Sequence, residues 1–147
     1  MTEDPMHFLL VEDDDDHATL VERTLSKGDL PLSLTRLSDG REAVEYLFEP
    51  GDFGGGRRPD VILLDLNLPL VTGHDILMRL KSDKKLRSIP VIVMTSSDAD
   101  VDRNRAYAAH VNSYVVKPMN FANFKQLLED IRQYWSVWNK RADAEGD

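Results

Sequence analysis

Four times along this chain a short apolar run stops at a side chain with chemistry to offer. Phe8-Leu9-Leu10-Val11 ends at Glu12-Asp13, and Val61-Ile62-Leu63-Leu64 ends at Asp65. Pro90-Val91-Ile92-Val93-Met94 ends at Thr95-Ser96, and Tyr114-Val115-Val116 ends at Lys117-Pro118. Runs of this length and polarity suit parallel strands buried on both faces, where helices cover the sheet from either side. A further strand with imperfect alternation is expected at Leu32, Leu34 and Leu37. Between the runs, apolar residues recur at helical spacing: Leu20, Val21 and Leu25, then Ala43, Val44, Leu47 and Phe48, then Ile76, Leu77 and Leu80. Helices are also expected from Val101 to Ala108 and from about Phe121 to Trp138. Five strands alternating with five helices predict an α/β fold, a parallel sheet wound on both faces.

The chain's 147 residues, 41% of them hydrophobic, suffice for one packed core. Residues 1–138 are expected to form that domain, followed by a short, polar, disordered tail over residues 139–147. The stretch from Glu49 to Pro59 carries Pro50, Gly51, Gly54, Gly55 and Gly56 and reads as a flexible surface loop, too short to divide domains. It lacks the GxxxxGK[ST] spacing of a phosphate loop, and proline follows Arg57-Arg58 where a helix would have to open. The absence of cysteine excludes disulfides, thiolate metal sites and a thiol nucleophile. A net charge of -8 argues against binding nucleic acid or anionic lipid, because both rely on Lys and Arg to neutralise phosphates. The segment Met1-Thr2-Glu3-Asp4-Pro5 is acidic where a secretory signal is basic and then apolar, so the cytoplasm is the expected location.

In an open parallel sheet, ligands bind beyond the carboxyl ends of the strands, near the point where the winding reverses. Glu12, Asp13, Asp65, Thr95 and Lys117 are all expected there. Each has a plainer reading by itself: Asp13 as a helix cap, Thr95 as a turn residue, Lys117 as a solvated charge. Together they suggest one site. Three converging carboxylates raise one another's pKa unless a cation neutralises them, and a hard divalent ion with oxygen ligands, Mg²⁺ best of all, fits. Lys117 adds a fixed positive charge and Thr95 a hydroxyl, the groups that hold a phosphoryl oxygen. The set looks like an aspartyl-phosphate site with Asp65 as the nucleophile.

The motifs Val11-Glu12-Asp13, Asp65-Leu66-Asn67-Leu68-Pro69 with Gly73, Thr95-Ser96 and Tyr114-Val115-Val116-Lys117-Pro118 resemble the response-regulator receiver family over roughly Phe8 to Trp138. The glycine-rich loop, the phrase His110-Val111-Asn112-Ser113-Tyr114 and the aromatic carboxyl end are similar to single-domain regulators paired with bacterial phytochrome kinases. The resemblance implies a flavodoxin-like sheet in the order 2-1-3-4-5. It implies Asp65 as phosphoacceptor, Asp13 as a metal ligand, Glu12 acting through a metal-bound water, and the Asn67 carbonyl as a further ligand. Thr95 would be the switch hydroxyl, with Tyr114 as its rotating partner. A sensor histidine kinase would be the phosphodonor, and a histidine phosphotransfer protein a further partner. Val111-Asn112-Ser113 stands where the family has Gly-Ala, which predicts a looser connection before the last strand.

An aspartyl-phosphate hydrolase combines the same residue types but needs an acid two positions after the nucleophile, where this chain has Asn67. A flavodoxin needs a hydroxyl-rich loop after the first strand, where this chain has Asp13 to Asp16. A phosphorylation-independent interaction module is the third alternative, and the complete set of site residues argues against it. His17 and Leu20, three apart at the exposed start of the first helix, are expected to contact the kinase. Phe121, Phe124, Leu128, Ile131, Trp135 and Trp138 follow a three-four spacing longer than the sheet requires, which predicts a homodimer centred on Trp135 and Trp138.

Overall fold

Alternate residues of each central strand face opposite cores, and this alternation builds the molecule. The computed structural model describes residues 5–28, 31–49, 53 and 56–142. In chain order the elements are β1 (Met6–Val11), α1 (Asp15–Leu25), β2 (Leu32–Leu37), α2 (Gly40–Phe48), β3 (Val61–Leu64), α3 (Gly73–Ser82), β4 (Val91–Thr95), α4 (Asp100–Ala108), β5 (Ser113–Val116) and α5 (Phe121–Gln133), which continues into a π-helical turn (Tyr134–Trp138). Phe8 and Leu10 of β1 pack with Ala18, Val21 and Leu25 of α1 and with Phe124, Leu128 and Ile131 of α5. Leu9 and Val11 pack on the other face with Leu47 of α2, Ile76, Leu77 and Leu80 of α3, and Ala106 of α4. Each fully buried Leu, Ile or Phe contributes about 1.5–3 kcal/mol of apolar burial, so both faces matter to stability.

The five strands are all parallel, in the order β2-β1-β3-β4-β5. The chain winds outward from β1 to β2 and then returns across β1 to β3, so the winding reverses between β1 and β3. The crevice opens there.

Helix starts follow the sequence closely. Asp14 caps α1 by accepting from His17 N–H at 3.0 Å, Asp39 caps α2 from Glu42 N–H at 2.8 Å, and Asn120 caps α5 from Asn123 N–H at 3.1 Å. Helix α4 forms over the expected span, but it has no side-chain cap, buries only Ala106, and leaves Val101 73% exposed.

The closing helix runs from Phe121 to Trp138 as expected, but its winding changes on the way. Regular α-helix stops at Gln133, and Asn139 N–H donates to the Tyr134 carbonyl at 2.7 Å, an i to i+5 bond. That wider winding breaks the three-four stripe. Its middle covers the sheet, Trp135 is half-buried against the same core, and Phe121 and Trp138 stand out at 68% and 70% exposure.

Of the loop before β3, residues 50–52, 54 and 55 lie outside the described residues. The described part is anchored: Phe53 packs against Tyr46 at 6.0 Å between ring centroids, and Arg57 pairs with Asp60 at 2.5 Å. Residues 143–147 of the expected tail also lie outside. Within the described tail, Arg141 donates to Asp60 Oδ2 at 3.1 Å, so this part is tied to the base of the sheet rather than loose. The connection before β5 is tight as well, since Asn112 Oδ1 accepts from Val91 N–H and from Lys81 Nζ, both at 2.8 Å. Among the described residues no helix is long and apolar enough to cross a membrane.

Candidate functional site

The sheet ladders continue one residue beyond the strands and carry the polar residues with them. Asp65 N–H donates to the Val11 carbonyl at 3.1 Å, Glu12 N–H to Leu37 at 3.0 Å, and Lys117 N–H to Thr95 at 2.7 Å. The backbone of each is therefore fixed while the side chain reaches past the strand end. Arg36 secures the β1 end further, its Nε and Nη2 donating to the Glu12 carbonyl at 3.1 and 2.9 Å. It also pairs with Asp15 at 2.9 Å.

Glu12, Asp13 and Asp65 each place a carboxylate oxygen within 4.8 Å of the others, with Glu12 and Asp65 buried and Asp13 exposed. Asp13 is free for this because Asp14 does the capping. Lys117, itself buried, donates from Nζ to Glu12 Oε1 at 2.6 Å and to Asp65 Oδ2 at 3.0 Å. Burial pushes the Glu12 carboxyl up to about 7, with the Lys117 hydrogen bond pulling it down and the Asp65 charge pushing it up. Burial also works against the Lys117 charge, but the Glu12 hydrogen bond and the Asp65 carboxylate outweigh it and raise the lysine above its ordinary value. One ammonium facing three carboxylates leaves negative charge in excess. All-oxygen donors around such an excess fit a hard divalent cation.

Asn67 reaches the cluster through its N–H, which donates to Asp65 Oδ1 at 3.0 Å and fixes the carboxylate plane. Thr95 is fully buried at the end of β4, and its Oγ1 accepts from Ser97 N–H at 3.4 Å. Tyr114 donates its hydroxyl to the Ser97 carbonyl at 2.9 Å. Burial raises the Tyr114 hydroxyl pKa, so it remains a donor at neutral pH.

Sequence reasoning did not find the connection beyond Ser97. Ser97 Oγ donates to Asp102 Oδ2 at 2.6 Å, and Asp102 Oδ1 lies 3.3 Å from Nε2 of the buried His74, joining the β4 end to α4 and α3. Nothing in the spacing of these residues announces the link. Arg36 did leave a signal, the one charged residue in a strand that otherwise alternates leucine with Ser33 and Thr35.

The expectation for α1 is corrected in part. His17 is not a free surface residue: its ring meets Phe124 edge-on at 5.5 Å, and Nδ1 lies 3.0 Å from Lys117 Nζ. Leu20 is half-buried against the α1 and α5 core. Trp135 and Trp138 lie at the opposite end of α5 from Lys117, outside the cluster.

Gly73 opens α3 directly under the site. A Cβ there would sit 2.1 Å from the Asp65 carbonyl oxygen and 2.5 Å from Leu66 Cα, backbone atoms that have no rotamer to change. Gly73→Ala is expected to cost about 3 kcal/mol, the upper end for forced overpacking. Urea unfolding of the variant measures this, and an unchanged midpoint contradicts it.

A doubly wound sheet in this order, with an acid cluster and a lysine at its switch point, defines a class. The sequence profile of the response regulator receiver domain matches residues 8–129, and the chain belongs to that family, whose members are generally phosphoacceptor switches in two-component signalling. Among individual proteins it is similar to the probable methanogenesis regulatory protein FilR2 of Methanothrix harundinacea, 44% identical over 138 residues, 94% of this chain and 88% of that protein. It is 35% identical over 131 residues to response regulator Rcp1 of Synechocystis, covering 89% of each chain. The Mn²⁺-bound form of Rcp1 superposes with a TM-score of 0.90 at 33% identity, over 95% of this chain and all (100%) of the other. The phosphorylated cyanobacterial phytochrome response regulator RcpA does so with a TM-score of 0.90 at 34% identity, over the same shares.

Proposed function

We propose that this chain is a cytoplasmic response regulator that accepts one phosphoryl group on Asp65 from a sensor histidine kinase, with Mg²⁺ as cofactor. The observation that carries the reading is the three-carboxylate cluster with Lys117 bridging Glu12 and Asp65. The Asp65 carboxylate attacks phosphorus, the bond to the donor's imidazole nitrogen breaks, and the imidazole leaves. Lys117 and the Thr95 hydroxyl hold the phosphoryl oxygens, and the Asn67 N–H keeps the attacking carboxylate in plane. Asp13, Asp65, the Asn67 carbonyl and, through water, Glu12 would hold Mg²⁺, which supplies charge neutralisation for the transferring group when bound. Asn67 offers no proton to a leaving group, so we read the chain as a stoichiometric acceptor rather than a hydrolase. Incubation with acetyl phosphate and Mg²⁺ tests this: about one acid-labile phosphate retained per chain is expected, and continuous release of phosphate without retention favours the hydrolase.

The switch we propose runs through Ser97, on which both Thr95 and Tyr114 converge. A Thr95 hydroxyl drawn to the phosphoryl group draws on Ser97, and Tyr114 repacks with it. Helix α4, uncapped and shallowly buried, is the element free to shift. Beryllofluoride with Mg²⁺ is expected to move the Tyr114 ring resonances in NMR, and identical spectra with and without it contradict the switch.

A kinase of the phytochrome class is the proposed donor, supported by the likeness to RcpA, and a histidine phosphotransfer protein the proposed onward partner. The FilR2 likeness makes a non-photoreceptor kinase the necessary comparison in a phosphotransfer assay. The α1 face with His17 and Leu20 is the proposed contact for it.

A homodimer is proposed on the exposed aromatics of the π-helical turn, Tyr134 and Trp138 with Val137, beside a cavity of about 430 Å³ that Trp135 helps to line. Sedimentation is expected to show a dimer that Trp138→Ala dissociates. A wild type that stays monomeric at high concentration, phosphorylated or not, contradicts it.

A further inference from the structure

Lys117 carries three N–H donors, and the structure gives each an acceptor: Glu12 Oε1 at 2.6 Å, Asp65 Oδ2 at 3.0 Å and His17 Nδ1 at 3.0 Å. The first two belong to the acid cluster. The third comes from α1 and is uncharged as an acceptor, because an ammonium only donates: Nδ1 must offer its lone pair while the ring proton sits on Nε2. The same nitrogen is 3.9 Å from Glu12 Oε1 and 3.9 Å from Asp14 Oδ2, so the lysine is its one short contact of the three.

His17 is held in this pose from two sides. Its backbone N–H donates to the helix cap Asp14 at 3.0 Å, and its ring stands edge-on to the buried Phe124 of α5, centroids 5.5 Å apart with the planes at 75°. Helix, cap and ring contact together fix where Nδ1 points. Neither the cluster's charge nor the sheet requires a histidine there.

We propose that His17 is a positioning residue for Lys117, the uncharged acceptor that keeps the ammonium in place for the phosphoryl group arriving on Asp65. The inference rests on the reading of Asp65 as phosphoacceptor. When Asp65 becomes an acyl phosphate, its carboxylate loses its charge and Lys117 must turn one donor from Asp65 to a phosphoryl oxygen. Glu12 alone would draw the ammonium toward itself. A second fixed acceptor that adds no negative charge holds the lysine between the two while leaving its positive charge for the phosphoryl oxygens. A carboxylate at this position would neutralise that charge, and an apolar ring would leave a buried donor unpaired.

The test uses the whole chain, Mg²⁺ and the small donors phosphoramidate and acetyl phosphate, which need no kinase surface. His17→Phe keeps the ring against Phe124 and removes the acceptor, whereas His17→Gln restores an uncharged acceptor. His17→Phe is expected to slow labelling at saturating donor about tenfold, with the half-saturating donor concentration within twofold of wild type. His17→Gln is expected to recover most of the rate. A folded His17→Phe at the wild-type rate overturns the proposal, as does His17→Gln being as slow as His17→Phe. A loss seen only with a kinase donor also overturns it, by making His17 a docking contact. Wild type that takes no label on Asp65 overturns both this proposal and the phosphoacceptor reading, whereas labelled wild type with an unaffected variant overturns this proposal alone. Long-range ¹H–¹⁵N NMR of the wild type needs no variant: the Nε2-protonated tautomer of His17 is expected, and a proton on Nδ1 overturns the contact.

Discussion

Asp65→Asn abolishes labelling by acetyl phosphate and Mg²⁺, to below about one part in a hundred of wild type, while the chain still unfolds in one cooperative transition. The asparagine keeps the shape that the surroundings need. Its side-chain oxygen can still accept from the Asn67 N–H or from Lys117, now bound to Asp65 at 3.0 Å each. What disappears is the nucleophile, because an amide oxygen cannot form the acyl phosphate. Stabilisation by Mg²⁺ falls in the same variant, since one of the three clustered carboxylates is gone. An ion present at a hundred times its dissociation constant adds about 2.7 kcal/mol to a protein that binds it, a change readily seen in thermal unfolding. Full labelling of Asp65→Asn contradicts the assignment.

The second large effect is on stability. Lys117→Met leaves Glu12 and Asp65 facing each other with no countercharge, their side chains 1% and 8% exposed. Breaking a buried ion pair from one side costs about 3–5 kcal/mol, because the surviving charge stays desolvated. Lys117 serves two such charges, so a loss within that range is expected at pH 8, limited by proton uptake at Glu12, whose carboxyl rises further above about 7 once the Lys117 hydrogen bond that pulls it down is gone. Mg²⁺ is expected to recover much of the loss by taking over neutralisation of the carboxylates, while phosphorylation stays slow for want of the ammonium. Urea unfolding at pH 8 with Mg²⁺ and with chelator measures both parts. A variant as stable as wild type in chelator contradicts this account of the cluster.

The strands and the cluster were legible in the sequence for one physical reason. A parallel strand buried on both faces has to be apolar along its length, so its first polar residue marks where it leaves the sheet. Asp65, Thr95 and Lys117 could therefore be placed at one edge before any contact was known, and the structure brings Asp65 and Lys117 together there with Glu12. The regular winding of the closing helix was legible only to Gln133. The three-four spacing of its apolar residues runs on to Trp138, and spacing carries no mark of a change to i to i+5 winding. Val101 marked a helix correctly, though that helix turns it to solvent. His17 shows a deeper limit. Its exposure depended on Phe124 and Lys117, residues far along the chain that only the packing of α1 against α5 brings close. The Ser97–Asp102–His74 link is of the same kind, three ordinary polar residues joined by tertiary structure alone.

The central claim is that one carboxylate among three takes the phosphoryl group. Incubating wild type with acetyl phosphate and Mg²⁺, reducing the acyl phosphate with borohydride and sequencing the peptides by mass spectrometry locates that carboxylate directly. The account predicts that Asp65 alone is converted to homoserine, and only when Mg²⁺ is present. Conversion at Glu12 or Asp13, or of Asp65 equally well in chelator, would contradict it.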